Sequence, residues 1–307
     1  MSKIMYMFPG QGAQYIGMGK AMYDEFDKAR EIFDKASAVT GLDIPALCFE
    51  ENDRINITEY TQIAMLATEA AIYAVMEEKG LKCDYTAGLS LGEYGALIAA
   101  GVLSYEDAFK VVRKRGIFMQ EAVPTGGAMA AVLGMDAETI EKICSQAEGY
   151  AAIANYNCPG QIVITGEQAA VEKASEALKE AGAKRVVPLN VSGPFHSKML
   201  IPAGEKLGAV IDEVTIGDVR VPYVSNVTAQ LVTDSVNIKD LLVKQISSSV
   251  RWQQTIELML DEGVDTFVEI GPGKTLTGFM RKINKEGKEI QVYHIENPEE
   301  LKAYVER

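Results

Sequence analysis

Three short apolar runs constrain the architecture of this chain most: Ile4-Met5-Tyr6-Met7-Phe8, Thr86-Ala87-Gly88-Leu89 and Thr266-Phe267-Val268-Glu269-Ile270. Each leads into a glycine-bearing turn and then into residues with apolar positions at helical spacing. Runs this short and this apolar predict buried strands. Strands alternating with helices predict an α/β fold, with a mostly parallel sheet covered on both faces. Further strands are expected over 221–226 and 291–295. Helices are expected over 18–38, 61–79, 90–100, 104–121 and 202–214, with one or two more between 238 and 262.

Between 125 and 192 the pattern changes. Strands are expected over 128–135, 151–156, 161–165 and 184–191, and helices over 137–147 and 168–181. The order βαββαβ is that of a split-βαβ, ferredoxin-like unit. The organisation expected is a large core of residues 1–124 and 193–307, interrupted by a small subdomain of residues 125–192.

Composition excludes several function classes. A net charge of −13 over 307 residues makes a poor ligand for nucleic acid or anionic membranes. No apolar stretch is long enough to span a bilayer, and the N-terminal run is too short for a signal-peptide core. Cys48, Cys83, Cys144 and Cys158 are far apart and form no CxxC pair. They read as reduced thiols of a cytoplasmic protein, with no metal site and no cofactor expected.

The chemistry centres on Gly88-Leu89-Ser90-Leu91-Gly92. Set between a strand and a helix, G-x-S-x-G is the pattern of a nucleophile elbow, whose serine sits in a sharp strained turn at the positive end of the helix. Ser90 with Glu93 three residues on is also a capping box, S-x-x-E. Both readings stand at this level, although a cap does not account for two glycines. A nucleophilic serine needs a base, and the chain has two histidines. His196 lies in a Gly-Pro loop at the subdomain junction and is the preferred candidate. His294, after Asp261 and Asp265, is the second and follows the chain order Ser, Asp, His.

Phe8-Pro9-Gly10-Gln11-Gly12-Ala13-Gln14 is either half of an oxyanion hole or a plain turn. Gly271-Pro272-Gly273-Lys274-Thr275 ends like a phosphate-binding loop. The full motif needs glycine at 268, where this chain has valine, so a tight turn is the reading. Arg115, inside an amphipathic helix, reads as a solvated charge.

Taken together, FPGQGAQ (8–14), GLSLGEYGAL (88–97), KRGIFMQEA (114–122), NYNCPGQIVITG (155–166), GPFHS (193–197) and EIGPGKTLTG (269–278) resemble the malonyl-CoA:acyl carrier protein transacylase family. The motifs occur in the family's order along nearly the whole chain. The resemblance implies an α/β-hydrolase-like core with a ferredoxin-like insert. It implies Ser90 as nucleophile and His196 as its base, oriented by the backbone carbonyl of Gln245. It also implies Arg115 as clamp for the malonyl carboxylate, and the backbone amides of Gln11 and Leu91 as oxyanion donors. Phe195 is implied to favour malonyl over methylmalonyl. The partners implied are malonyl-CoA and acyl carrier protein, met by a monomer. Basic pairs at Lys184-Arg185 and Arg281-Lys282 are candidates for the carrier contact. One departure is Leu89, where the family often has histidine. Competing readings are a polyketide-pathway acyltransferase, a serine hydrolase or thioesterase, and a non-catalytic carrier-binding module.

Overall fold

The structure is a computed structural model and describes residues 2–307. Among them ten strands form two sheets. In chain order these are β1 (Ile4–Phe8), β2 (Tyr85–Gly88), β3 (Gly127–Leu133), β4 (Ala151–Cys158), β5 (Gln161–Glu167), β6 (Arg185–Pro188), β7 (Tyr223–Val224), β8 (Leu231–Val232), β9 (Thr266–Ile270) and β10 (Gln291–Ile295). The large sheet has the order β10, β9, β1, β2, β7, β8 and is parallel except at β7–β8.

The uniform apolarity of the central strands follows from burial on both faces. Successive side chains of β1 point to opposite sides. Tyr6 and Phe8 join the core under the helix Thr58–Glu78, while Met5 and Met7 join a second core built around Trp252, Ile256 and Leu276.

The small sheet has the order β4, β5, β3, β6 and is antiparallel throughout, which is the ferredoxin-like arrangement. Its helices Ala137–Gln146 and Gln168–Glu180 close a separate core around Val132, Ile140, Ile164 and Leu178. The two sheets are stitched at Val250, whose N–H donates to Ala154 O and whose carbonyl accepts from Tyr156 N.

Several expected elements change. The helix expected over 18–38 is two, Lys20–Glu25 and Asp27–Thr40, broken at an extended Phe26. The Arg30 guanidinium donates to the carbonyls of Tyr23 and Asp24, supplying partners that the first helix lacks at its end. The strand expected over 221–226 shrinks to Tyr223–Val224, and Asn226 beyond it makes the side-chain contacts described below. The short helix Ile44–Phe49 and strand β8 were not expected. The helix had a visible signal: Asp43 caps it by accepting from Ala46 N, with Pro45 in its first turn.

Candidate active site

Strand β2 ends at Gly88, and the next helix starts only at Gly92. Ser90 lies between them with φ 54°, in the left-handed region that costs a residue with a Cβ about 1–2 kcal/mol. The flanking glycines are required by close approach. A Cβ on Gly88 would lie 1.9 Å from Gly92 O, and one on Gly92 would lie 2.1 Å from Phe8 O. The capping-box reading is therefore corrected. The Ser90 side chain makes no cap, and the helix N-cap position falls on Leu91. The turn is an elbow that sets its hydroxyl between His196 and Arg115.

The geometry selects one histidine. His196 Nε2 lies 2.7 Å from Ser90 Oγ, and its Nδ1 lies 2.9 Å from the carbonyl of Gln245. A carbonyl can only accept, so Nδ1 carries the proton and Nε2 accepts from the serine hydroxyl. Burial first, and the charge of Arg115 second, push the His196 pKa down to about 4. The ring is therefore neutral at neutral pH. His196 itself has φ 57°, so both members of the pair sit in strained backbone. His294 is excluded from the pair. It lies on edge strand β10, with Nε2 on Gly271 O at 3.0 Å and Nδ1 on Glu300 Oε1 at 3.2 Å.

Gln11, Ser90, Leu91, Arg115, Phe195 and His196 line one cleft between the two sheets, closed from the small sheet by Met129, Asn155 and Val163. The amides of Gln11 and Leu91 have no acceptor among the described residues. The Ser90 amide is already engaged with Asn226 Oδ1 at 2.7 Å. Leu89 also lines the cleft, and the Ser90–His196–Gln245 chain is complete without a polar group there.

Arg115 overturns its reading as a solvated charge. Its side chain is 1% exposed. It donates to Gln62 Oε1 at 2.7 Å, Gln245 Oε1 at 2.9 Å and Ser90 Oγ at 3.1 Å. The helix Tyr105–Ala122 buries Ala108, Val112, Arg115 and Met119, so the arginine occupies the inward stripe. That spacing was a signal in the sequence for its burial.

Two residues of the site were not singled out, and a third was read differently. Gln62 sits in an alanine-rich helix and offers no local cue. Asn226 donates to Gly88 O and accepts from Ser90 N, both at 2.7 Å, and so pins the elbow from a distant loop. Glu93, taken for a capping partner, is fully buried and accepts from Gln245 Nε2 at 2.6 Å. Burial pushes its carboxyl up to about 7, against the pull of Gln245, the Asn226 amide and Arg115.

The glycine loop after β9 is a tight turn, as expected. Gly271 and Gly273 both have positive φ, and Glu269 accepts from the amides of Leu276 and Thr277 at the start of the next helix.

Comparison with known proteins agrees with this arrangement. Residues 5–297 match the acyl transferase domain family. The malonyl CoA-acyl carrier protein transacylase of Bacillus subtilis is 50% identical over 297 residues, covering 95% of this chain and 94% of the relative. The crystal structure of malonyl CoA-acyl carrier protein transacylase from Clostridium perfringens superposes with a TM-score of 0.94 at 43% identity, covering 99% of this chain and 96% of the other. A malonyl-transacylase solved in complex with its type II PKS acyl-carrier protein gives 0.95 at 39% identity, covering 99% of both chains. With the family's fold, motifs and length all present, the chain belongs to the acyl transferase domain family and, within it, to the malonyl CoA-acyl carrier protein transacylases.

Proposed function

We propose that the protein moves a malonyl group from malonyl-CoA to the phosphopantetheine thiol of an acyl carrier protein, supplying fatty acid synthesis. The observation that carries this is a buried arginine, in no direct ion pair, 3.1 Å from a serine hydroxyl that is hydrogen-bonded to a neutral histidine. A hydrolase acting on neutral esters has no use for that cation.

His196 Nε2 takes the Ser90 proton, and Oγ attacks the thioester carbonyl. The amides of Gln11 and Leu91 hold the oxyanion, worth about 3 kcal/mol per donor in comparable sites. The C–S bond breaks, and the proton passes from Nε2 to the departing CoA sulfur. In the second half the carrier thiol gives its proton to His196, its sulfur attacks the malonyl-serine ester, and the C–O bond breaks. The proton then returns to Ser90. Arg115 presents its guanidinium fork to the free carboxylate throughout. The Gln245 carbonyl stands where a triad has a carboxylate and holds the ring's orientation. Phe195, 7% exposed on the cleft wall, crowds an α-substituent on the acyl group.

The cleft lies between a core of residues 1–124 and 193–307 and a subdomain of 125–192, which has its own hydrophobic centre. At its edge Lys282 Nζ donates to Gln161 Oε1, and Gln161 lines the cleft. Arg281 and Lys282 are therefore the better placed basic pair for an acidic carrier. We place the protein in the cytoplasm as a monomer. Its four cysteines are free thiols, and among the described residues no helix is long and apolar enough to cross a membrane.

Labelled malonyl-CoA without carrier should leave acid-stable label on the protein, and added carrier protein should remove it as malonyl-carrier. Release as free malonate alone would make the protein a hydrolase. Reversing the charge of Arg281 and Lys282 should slow the removal and leave the loading unchanged.

The base has its own test. An uncharged fluorophosphonate reports Ser90 reactivity while offering Arg115 no carboxylate to bind. The sign follows from the depressed His196: its neutral form persists as pH falls, so the rate should hold its plateau through 6.5 and drop only near about 4. A midpoint at the ordinary histidine value would remove His196 from this role.

A further inference from the structure

Arg115 is a fully buried cation whose acceptors are all neutral: two amide oxygens and a hydroxyl. Among the described residues it forms no ion pair with a carboxylate, and its hydrogen bonds go to Gln62, Ser90 and Gln245. The nearest acid in the network is Glu93, and the Gln245 side chain stands between the two. Gln245 Oε1 accepts from Arg115. Its Nε2 donates to Glu93 Oε2 at 2.6 Å and to Ser90 O at 2.8 Å. The amide cannot be reversed, because its nitrogen faces two acceptors and its oxygen faces a donor. Glu93 Oε1 is buried without a partner.

We propose that the Gln245 side chain is a positioning residue, a neutral spacer that holds Arg115 within the field of its counter-charge Glu93 while preventing the two from pairing. This rests on Arg115 taking the substrate carboxylate. A direct Arg–Glu pair at this burial would consume the guanidinium fork, and an incoming carboxylate would have to break it. An amide between them leaves the cation oriented and its charge only partly offset, so an incoming carboxylate has only neutral acceptors to displace from the fork. The role is separate from that of the Gln245 backbone carbonyl, which every substitution retains. The other ionisable groups facing Glu93 are the phenols of Tyr94 and Tyr223, both held neutral by burial.

The test uses Gln245→Met, Glu93→Gln and the double variant, assayed at about pH 8, above the raised Glu93 value. The readouts are kcat/KM for malonyl-CoA and the rate of phosphonylation of Ser90. Gln245→Met should lower the malonyl value at least about tenfold more than it lowers phosphonylation. Adding Glu93→Gln should restore about tenfold of the malonyl value, because the competing carboxylate is gone. Glu93→Gln alone keeps an acceptor for Gln245 and should lower KM for malonyl-CoA. Losses that simply add in the double variant, or a KM unmoved by Glu93→Gln, overturn the spacer. The underlying reading fails separately, by Arg115→Ala leaving malonyl selectivity intact.

Discussion

Ser90→Ala is expected to lower malonyl transfer by about four to six orders of magnitude, the cost of removing a nucleophile from an intact site. The reason is covalent. Without Oγ no malonyl ester can form, and the carrier thiol must meet malonyl-CoA in a cleft shaped for one acyl partner at a time. The fold should survive, because Ser90 makes no cap and its backbone contacts to Asn226 and Gln245 Nε2 do not involve the hydroxyl. The substitution removes one acceptor from Arg115, which keeps Gln62 and Gln245. The assay is label retained on the protein after malonyl-CoA and an acid quench, alongside a thermal melt. Label on the alanine variant at wild-type level would place the ester on another residue and return Ser90 to a structural role.

Arg115→Ala is expected to change the preferred substrate more than it changes the nucleophile. Removing one partner of a buried, hydrogen-bonded charge pair costs about 2–5 kcal/mol, roughly one and a half to three and a half orders of magnitude in kcat/KM for malonyl-CoA. Acetyl-CoA lacks the carboxylate, so its kcat/KM should fall far less, and the malonyl-to-acetyl ratio should collapse. Arg115→Lys should sit between, because an ammonium keeps the charge and loses the planar fork. The truncation also leaves Gln62 Oε1 and Gln245 Oε1 without their donor, so a lower melting temperature is expected with it. The ratio separates the two effects, because general loosening lowers both substrates together. An unchanged ratio would remove Arg115 from recognition.

The elbow was legible because it is local. Strand, turn and helix fall within a dozen residues, and glycine on each side of Ser90 leaves a mark that a helix cap does not. The ferredoxin-like order of elements was legible for the same reason. Its sheet is made of neighbours in sequence, read from the alternation of strand and helix periods. Failures came where a particular side-chain contact, near or far in sequence, set the outcome. Phe26 breaks a helix whose spacing is continuous, because Arg30 reaches back to satisfy the carbonyls before it. Glu93 fits a capping box by spacing, yet it turns inward because Gln245 and Asn226, more than 130 residues away, supply donors.

Periodicity, turn chemistry and composition thus determine most of the strands and helices and the position of the Ser90 elbow. These depend on forces acting within a few residues, or on the sum over all of them. Which histidine meets Ser90, whether Arg115 faces water or the buried side of its helix, and which glutamine separates it from Glu93 were decided by packing alone. Charges and amides gain their function from burial and from donors and acceptors a few ångströms away. Those neighbours are brought together only when β2, the loop at 196, the helix ending at 245 and the turn at 226 converge.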